Sequence, residues 1–275
     1  MSPYRDSAPL TEDWKNFDFD VADGVATVTF TRPDKLGALT FEAYADLRDL
    51  LAELPTRSEV KVLTITGQGR GFCSGGDVEE IIGQLIKLET AELLDFTRMT
   101  GSVVKALREC PLPVIAAING VAAGAGSVIA LAADFRLMAR SATFAFLFTR
   151  VGLSGADMGS AYLLPRIIGL GRATELLMLG DKLDAQRAYE IGLATQVTDD
   201  DALTSAAQTL ATRLASGPAF AYSTTKSLLT RELDMPLGAA IELEAITQAL
   251  LMHSDDFAEF YDAWSERRKP SWSGR

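Results

Sequence analysis

The apolar residues of this chain form short runs and helical spacings that follow one another in a regular order. Short apolar runs at residues 59–66 and 113–118 are bounded by proline, glycine or polar residues and predict strands buried on both faces. Each run is followed by a glycine-rich turn and then by apolar residues at helical spacing. This repeated order of strand, turn and helix predicts an α/β fold with a mostly parallel sheet and right-handed crossovers.

A hairpin and a helix are predicted ahead of these units. Residues 17–20 and 25–31 have the composition of strands, and Asp23-Gly24 between them is a hairpin-turn signal. Thr40 is a candidate N-cap for a helix whose apolar face includes Tyr44.

The middle of the chain predicts a long helix and a strand rich in phenylalanine. Residues 91–109 have helical periodicity, and Gly101 within them permits a break or kink. Phe144, Phe146 and Phe148 alternate, so they would face one way from a strand, either as core packing or against a flat or bulky substrate group.

The end of the chain is predicted to be entirely helical. We expect three regions: a loose polar arm at residues 1–16, a core at 17–200, and a helical region at 201–275. The helices are predicted at residues 202–216, 219–231, 237–252 and 256–268.

Two glycine-rich turns carry the clearest chemistry. Phe72-Cys-Ser-Gly-Gly-Asp77 follows the first buried strand, and Asn119-Gly-Val-Ala-Ala-Gly-Ala-Gly126 follows the second. Glycines allow close backbone approach to a ligand, and a helix start leaves N–H groups without intrahelical partners. Such groups can stabilise a carbonyl oxygen that gains negative charge. Two turns facing one pocket would supply two donors, although each turn alone is equally explained by tight helix–strand packing. Asp77 followed by Glu80 resembles a capping box.

Composition excludes several classes of protein. The net charge of −11 argues against broad nucleic-acid binding, and the two cysteines do not form a disulfide framework. We expect no metal, because no Cys/His cluster has zinc spacing, and no membrane span, because no apolar run approaches the required length. The N-terminus lacks a secretory segment, so a cytoplasmic location is expected.

The single histidine limits the catalytic chemistry. A Ser-His-Asp or Cys-His centre would have to use His253, which lies in the helical region far from both turns in sequence, so a surface or interface position is expected for it. A dinucleotide-binding oxidoreductase is the improbable alternative, because the turn from Gly67 to Gly71 lacks the spacing of that motif.

The sequence resembles the enoyl-CoA hydratase/isomerase (crotonase) superfamily at residues 72–77 and 116–126. The similarity extends from about Val25 to Pro270 and includes Phe30-Thr-Arg-Pro-Asp-Lys-Leu-Gly-Ala-Leu39 and Glu266-Arg-Arg-Lys-Pro270. The resemblance implies a crotonase (ClpP-like) fold, in which repeated ββα units form a mostly parallel spiral core. It also implies an enzyme that forms trimers, often hexamers, through its C-terminal helices.

The resemblance also implies an acyl-CoA substrate and assigns residues to it. Two backbone N–H groups stabilise a thioester enolate, and by motif position the donors are those of Gly76 and Ala125. No cofactor is expected apart from the coenzyme A of the substrate. The expected substrate contacts are Ser74, Gly75, Gly124, Val128 and Phe148 around the acyl thioester, with Arg32, Lys35 and either Arg268 or Lys269 at coenzyme A.

The resemblance places the proton-transfer chemistry at Asp157. Typical hydratases carry two glutamates at the positions occupied here by Val128 and Phe148, so this chain lacks both. The register of Asp157 resembles an aspartate that shuttles a proton in dienoyl-CoA isomerases and is the nucleophile in 4-chlorobenzoyl-CoA dehalogenases. The alternative for Asp157 is an Asx-turn or a helix N-cap.

The sequence therefore predicts an acyl-CoA enzyme in which Asp157 transfers a proton, as in double-bond isomerisation. The same scaffold could instead support thioester hydrolysis, retro-Claisen cleavage or an aryl-CoA dehalogenase-like reaction, or it could bind acyl-CoA without turnover.

Overall fold

Two sheets, each mostly parallel, form the centre of the molecule. The computed structural model describes residues 10–274. Its strands are β1 (Asp18–Ala22), β2 (Val25–Phe30), β3 (Val62–Gly67), β4 (Gly71–Cys73), β5 (Val114–Ile118), β6 (Val121–Ala123), β7 (Phe135–Ala139), β8 (Thr143–Ala145), β9 (Leu183–Asp184) and β10 (Gln196–Thr198). The larger sheet has the order β1-β2-β3-β5-β7-β10 and the smaller one β4-β6-β8-β9. Within the described residues only β1–β2 and β8–β9 pair antiparallel, which confirms the predicted α/β class.

The helices predicted after Thr40, at residues 91–109 and at four positions after residue 201 are all present. The helices of the structure are α1 (Phe41–Glu53), α2 (Gly83–Leu85), α3 (Thr90–Glu109), α4 (Ala125–Ala132), α5 (Ser160–Ile168), α6 (Leu170–Leu179), α7 (Ala185–Glu190), α8 (Leu203–Ala215), α9 (Ala219–Glu232), α10 (Leu237–Leu251) and α11 (Asp255–Glu266). α3 continues through Gly101 without a break, because its buried face, which includes Val103 and Leu107, holds the C-terminal half of the helix against the core.

Successive strands alternate between the two sheets, and this alternation positions the glycine-rich turns. β3, β5 and β7 belong to the larger sheet, whereas β4, β6 and β8 belong to the smaller one. The chain therefore leaves the larger sheet, adds a short strand to the smaller sheet, and then enters a glycine-rich turn. Because β4 and β6 are parallel neighbours, the turns that follow them emerge at the same edge.

The predicted strand through Phe148 is wrong. β8 ends at Ala145, and residues Leu147–Val151 form a 3₁₀ helix that ends at Gly152 in the left-handed region (φ +82°). The aromatic alternation is explained by packing, because the rings of Phe144 and Phe146 are nearly parallel, 6.3 Å apart, and both fully buried. Phe148 lies on the 3₁₀ helix, so these residues do not share one strand face.

A buried polar cluster attaches the C-terminal helices to the core. Lys226 of α9 donates hydrogen bonds to the carbonyl oxygens of Leu107 (3.0 Å) and Leu112 (2.9 Å), and its Nζ lies 2.8 Å from Asp134 Oδ2. The same carboxylate oxygen accepts a hydrogen bond from the Val114 N–H at the start of β5. α9 is therefore anchored by paired buried groups, whose separation would leave a charge without a partner.

The described part of the predicted N-terminal arm, residues 10–16, has no helix or strand but contacts α1. The Thr11 N–H donates to Glu53 (2.9 Å), and the Asn16 side chain donates to Asp46 (2.7 Å). Residues 1–9 of that arm lie outside the described residues. Among the helices of residues 10–274, none has the length and apolar character that a membrane crossing requires.

We predict opposite stability changes when alanine replaces two helical glycines. A Cβ on Gly126 would lie 2.1 Å from the Cys73 carbonyl oxygen, so α4 would have to move away from β4. Gly126→Ala should lower the free energy of unfolding by about 1–3 kcal/mol, the usual cost of overpacking a core. In the described residues a Cβ on Gly101 meets no atom within 4 Å, so Gly101→Ala should raise the free energy of unfolding by about 0.5–1 kcal/mol. Urea unfolding measures both, and changes of the same sign would contradict this packing.

Candidate active site

The two glycine-rich turns lie against each other with no side chain between them. Gly75 (φ +97°) and Gly124 (φ +51°) both have backbone conformations that favour glycine. A Cβ on Gly75 would lie 3.0 Å from the Ala123 carbonyl oxygen and 3.3 Å from the Ala125 nitrogen. The first turn therefore passes directly beside the N-terminus of α4, as the sequence predicts for two turns facing one site.

The predicted donors Gly76 and Ala125 both have an N–H group without a hydrogen-bond partner among residues 10–274. Ala125 is the first residue of α4, so its N–H has no intrahelical acceptor. At Gly76 the pairing with Leu39 uses the neighbouring groups: the Leu39 N–H donates to the Gly75 carbonyl (2.8 Å), and the Asp77 N–H donates to the Leu39 carbonyl (2.9 Å). Both N–H groups are free to bind an acceptor oxygen.

Asp77 holds the far end of the first turn as a helix cap. Its Oδ1 accepts hydrogen bonds from the N–H groups of Glu79 (2.9 Å) and Glu80 (3.1 Å), and its Oδ2 lies 3.0 Å from Arg32 Nη2. The Glu80 and Glu79 N–H groups, with Lys35 and Arg32, hold the pKa of Asp77 below its usual range. The predicted capping box is incomplete, because the Glu80 carboxylate pairs with Arg32 (2.6 Å) instead of returning to the Asp77 N–H, which donates to Leu39.

Arg32 and Lys35, two of the predicted coenzyme A contacts, are both paired with acidic side chains. Lys35 pairs with Glu79 (2.9 Å) and more distantly with Asp77 (3.6 Å), and Arg32 pairs with Asp77 and Glu80. The hydrogen bond to Glu79, with the charges of Asp77 and Glu79, raises the pKa of the Lys35 ammonium. These charges form one network along the rim of the first turn, in which Asp77 is buried and the other groups are partly or fully exposed.

The remaining predicted substrate contacts lie in different parts of the structure. Lys269 follows α11, and within the described residues it forms no hydrogen bond or ion pair with the turns. Ser74 lies in the first turn, and its hydroxyl donates to the Lys35 carbonyl (3.0 Å). Val128 is completely buried one turn into α4, and Phe148 is 8% exposed. His253 is exposed at the end of α10, as expected for a surface residue.

Asp157 lies in a third turn whose backbone is fixed by Ser160. The buried Ser160 hydroxyl accepts a hydrogen bond from the Asp157 N–H (3.1 Å) and donates to the Gly155 carbonyl (2.8 Å). The Asp157 carboxylate accepts one hydrogen bond, from the adjacent Met158 N–H (2.9 Å). It is not the N-cap of α5, because Gly159 occupies that position. The sequence-based alternative of an N-cap is therefore wrong, and the hydrogen bond to the adjacent Met158 N–H is not that of an Asx-turn, which would reach the N–H two residues on.

The two aspartates of these turns have opposite pKa shifts. Burial raises the pKa of Asp157, and the single Met158 N–H only partly offsets that effect. The cap hydrogen bonds and the nearby cations lower the pKa of Asp77. A carboxyl group whose pKa is raised toward neutrality is the better proton carrier, whereas one that is strongly hydrogen-bonded and paired stays ionised. Of these two, Asp157 is suited to proton transfer.

Tyr44 and Cys73 are buried beside these groups. The first turn of α1 carries Tyr44, whose pKa is raised well above its usual value by burial and, to a smaller extent, by the charge of Asp157. Burial raises the pKa of the Cys73 thiol to about 12, so Cys73 is a neutral packing residue. The sequence placed Tyr44 only in an apolar helix face. Its hydroxyl is the one feature that separates it from the aliphatic residues of that face.

An apolar pocket of about 420 Å³ borders the third turn. It lies between α3 and α5, with Met158 and Gly159 on one side and Gly101 and Val104 on the other. At its rim, the Tyr162 hydroxyl and the Arg166 guanidinium both donate to Asp234, which follows α9. The pocket is therefore closed at one side by a contact between α5 and the C-terminal helices.

Comparison with known proteins identifies the family. A family model described as enoyl-CoA hydratase/isomerase matches residues 20–275. The chain is 36% identical over 255 residues to 1,2-epoxyphenylacetyl-CoA isomerase of Escherichia coli, covering 93% of this chain and 97% of that protein. It is 31% identical over 256 residues to (E)-benzylidenesuccinyl-CoA hydratase of Thauera aromatica, covering 93% and 98%. Relatives with different named reactions thus match over almost their full length.

Solved structures show the same fold. The crystal structure of a candidate enoyl-CoA hydratase from Streptomyces coelicolor A3(2) is 64% identical, with a TM-score of 0.97 and complete coverage of both chains. An enoyl-CoA hydratase from Bacillus anthracis is 29% identical, with a TM-score of 0.89 and coverage of 95% of this chain and 100% of that one. The predicted crotonase fold is confirmed.

We predict that Asp77 contributes stability that disappears in acid. Asp77→Ala should lower the free energy of unfolding near neutral pH by about 1 kcal/mol, because the cap hydrogen bonds are lost. The folded-state pKa of Asp77 lies below 3.8, so its contribution is complete above the unfolded pKa and is lost as the pH falls through the folded one. The difference between wild type and variant, measured by urea unfolding, should therefore shrink below pH 3.8.

Asp77→Asn is the matched control, because asparagine caps helices about as well as aspartate. It should retain more stability than Asp77→Ala near neutral pH. An Asp77→Ala deficit that stays constant down to the most acidic pH would contradict the ionised cap.

Proposed function

Because the chain belongs to the enoyl-CoA hydratase/isomerase family of acyl-CoA-processing enzymes, we propose that it transfers a proton on an acyl-CoA thioester, as in double-bond isomerisation. The observation that carries this proposal is the Asp157 carboxyl. It is partly buried, it accepts one hydrogen bond, and its pKa is raised.

The first step needs stabilisation of a thioester enolate. When a base removes a proton from the carbon next to the thioester carbonyl, negative charge moves onto the carbonyl oxygen. In this proposal the N–H groups of Gly76 and Ala125 donate to that oxygen, since neither has another partner among residues 10–274. One such preorganised donor typically contributes about 2.7–4 kcal/mol to transition-state stabilisation.

Asp157 is the proposed base that removes the proton and the acid that returns it at another carbon. The ionised carboxylate accepts the proton. Because the pKa of Asp157 is raised, its protonated form is easier to reach than the protonated form of an exposed aspartate. Hydration by a glutamate pair is disfavoured, because the positions where the resemblance implies glutamates hold the apolar residues Val128 and Phe148. Without a base, activation of water would lose about 10²–10⁴ in rate.

We propose that the apolar pocket receives the acyl group. Met158, which follows Asp157, lines this pocket, so an acyl chain lying there would be close to the proton carrier. The pocket wall at Gly101 has no side chain, which leaves room for a bulky or long group. Ser74, Gly75 and Gly124 are proposed to line the route of the thioester.

Coenzyme A is proposed to lie along the charged rim of the first turn. Arg32 and Lys35 would exchange part of their pairing with Glu79 and Glu80 for the phosphates of the substrate. Because those glutamate carboxylates are at least half exposed, the exchange occurs in solvent and its cost is small. Lys269 is proposed to contribute from a neighbouring subunit.

The C-terminal helices are the proposed contact between subunits of a homotrimer or hexamer. Large apolar side chains on them are more than half exposed in the single chain, and monomeric proteins rarely expose so many together. These residues are Leu229, Leu237, Ile241, Ile246, Leu250, Phe257, Phe260, Tyr261 and Trp264.

We predict that Asp157→Asn abolishes proton exchange but not binding. Wild type and variant would be incubated in D₂O with 2-enoyl, 3-enoyl, dienoyl and aromatic CoA esters, and mass spectrometry would follow deuterium uptake and isomer change. We expect uptake with at least one ester, and a fall of at least about 10²-fold in the variant, because the base is removed.

Each contrary outcome supports a different reaction. Addition of water that persists in the variant would reject Asp157 as the acid/base group. Release of free coenzyme A would support hydrolysis or retro-Claisen cleavage, loss of halide a dehalogenase-like reaction, and binding without any change a non-catalytic member.

The pH dependence of the same exchange provides a second prediction. As a base, Asp157 must be ionised, so kcat/KM should fall as the pH drops through its pKa. Because burial raises that pKa, the acid limb should lie above 3.8, the usual value for an aspartate. An acid limb at or below that value would contradict a desolvated base.

A third prediction concerns the acyl pocket. Gly101→Leu adds a side chain toward the pocket and should raise KM for long or bulky acyl groups by roughly tenfold, since each tenfold corresponds to about 1.4 kcal/mol. Short acyl groups should be unaffected. Gly101→Ala is the matched control, because it fills little of the pocket. Equal KM changes for short and long esters would exclude the pocket as the acyl site.

A further inference from the structure

Near the C-terminal end of α3, the apolar pocket is lined by positively charged side chains. Arg108 of α3 and Thr230 of α9 line this pocket and also line a second cavity of about 450 Å³ between the end of α3 and α9. Among the described residues that line the two cavities, four are cationic and one is acidic: Lys105, Arg108, Lys226 and Arg231, with Glu109. The apolar pocket therefore adjoins a cavity with an excess of positive charge, in a chain whose net charge is −11.

The chain does not neutralise this positive charge. The side chains of Arg108 and Lys226, 22% and 7% exposed, share one carboxylate, that of Asp134, with nitrogen–oxygen distances of 3.3 and 2.8 Å. Arg231 lines the same cavity, and within residues 10–274 its guanidinium forms no ion pair or hydrogen bond. Because burying positive charge without an equal number of opposite charges is costly, the cavity favours an anion.

Arg108 lies one helical turn along α3 from the turn that carries Asp157. A Cβ on Gly159 would lie 3.8 Å from Val104 Cγ1, so the third turn meets α3 at Val104. Arg108 follows Val104 by four residues, which places it on the same face of α3 and about 6 Å further along the helix axis. Met158 and Arg108 line the same pocket. An acyl group whose reacting carbons lie beside Asp157 would therefore reach Arg108 with its far end.

Arg108 and Thr230 have hydrogen-bonding capacity left for a carboxylate. The Arg108 guanidinium donates to the Thr230 hydroxyl (3.0 Å), whereas its bonds to Asp134 Oδ1 (3.3 Å) and to the Ala132 carbonyl (3.4 Å) are longer than usual. The Thr230 hydroxyl accepts the bond from Arg108, and its own proton donates to no group in the described part of the chain. A carboxylate accepts several hydrogen bonds and binds guanidinium groups best, so it suits this set of donors.

We propose that the cavity at Arg108 and Arg231 binds a carboxylate at the far end of the acyl group, so that the enzyme acts on CoA monoesters of dicarboxylic acids. This inference rests on the proposed function and deepens it by naming the substrate class. The hydrocarbon part of the acyl group would occupy the apolar pocket beside Met158, and its terminal carboxylate would bind the two guanidinium groups. Such charge-assisted hydrogen bonds are stronger than neutral ones, whereas a hydrocarbon end would leave the positive charge without a counter-ion.

The test compares CoA esters of equal chain length that differ at the far end, with the full-length protein. The pairs are hexanoyl-CoA with adipoyl-CoA and octanoyl-CoA with suberoyl-CoA, and ω-hydroxyhexanoyl-CoA is the uncharged polar control. Calorimetry gives Kd for each ester. We expect wild type to bind the carboxylate member of at least one pair about tenfold or more tightly, equivalent to about 1.4 kcal/mol. Because the contact is between charges, added salt should reduce this preference.

Two variants and one control test the residues. Arg231→Gln removes a cation that has no partner among residues 10–274, so its Tm should equal that of wild type, and the preference should fall by about threefold or more. Arg108→Gln should also reduce the preference while leaving the Kd of hexanoyl-CoA unchanged. If Arg108→Gln does not fold, because Asp134 loses one of its two cations, Arg231→Gln decides alone. Arg172→Gln is the matched control, because Arg172 is an exposed arginine of α6 that lines neither cavity, and it should keep the full preference.

The outcomes separate this inference from the proposed function. No preference in any pair, or a preference that Arg231→Gln leaves intact, overturns the carboxylate site and leaves proton transfer by Asp157 standing. An equal gain for ω-hydroxyhexanoyl-CoA, an equal loss in Arg172→Gln, or binding of free suberate with the Kd of suberoyl-CoA overturns it as well. Loss of the preference in Arg231→Gln, together with deuterium exchange that persists in Asp157→Asn, supports the carboxylate site and rejects Asp157. If wild type binds none of the esters, both proposals fall.

Discussion

The site depends on one contact, the passage of the first glycine-rich turn beside the N-terminus of α4 without an intervening side chain. Gly75 can approach Ala123 and Ala125 only because it has no Cβ, and Gly126 meets the Cys73 carbonyl for the same reason. These backbone approaches bring together N–H groups from two different crossovers between the sheets. Any added methyl group would separate the donors. The close packing of the backbone therefore requires glycine at these positions, independently of any substrate.

The surrounding polar groups hold this contact in place. The pairing of Leu39 with the first turn attaches α1 to it, and the Asp77 cap fixes where the turn ends. In the third turn, Ser160 fixes the backbone around Asp157 by two hydrogen bonds. Backbone donors on sheet crossovers and a carboxylate on a braced turn are the kind of preorganised groups that stabilise charge without reorganising during reaction.

Much of this arrangement could be predicted from the sequence, because it depends on local signals. Buried strands, the Asp23-Gly24 hairpin and the Thr40 cap each have short-range signatures, and their order implied parallel sheets. The strand through Phe148 was wrong because aromatic alternation describes packing as well as strand geometry, and Gly152 ends a 3₁₀ helix instead. The capping box was only half formed, because Arg32, distant in sequence, competes for Glu80. Long-range partners of this kind have no local signal.

Tyr44 shows the same limit for the site itself. Its helical position predicted burial correctly, yet burial has a consequence for a phenol that it does not have for leucine, because it raises the pKa of the hydroxyl. In their proposed role, the donors at Gly76 and Ala125 act only on the thioester oxygen, so they could serve many reactions on this scaffold. The chemistry must therefore be decided by the few side chains that reach the acyl carbons. Of the two aspartates in the turns, Asp157 is the one whose pKa is raised by burial, and the proposed role of Asp157 as the proton carrier follows from that shift.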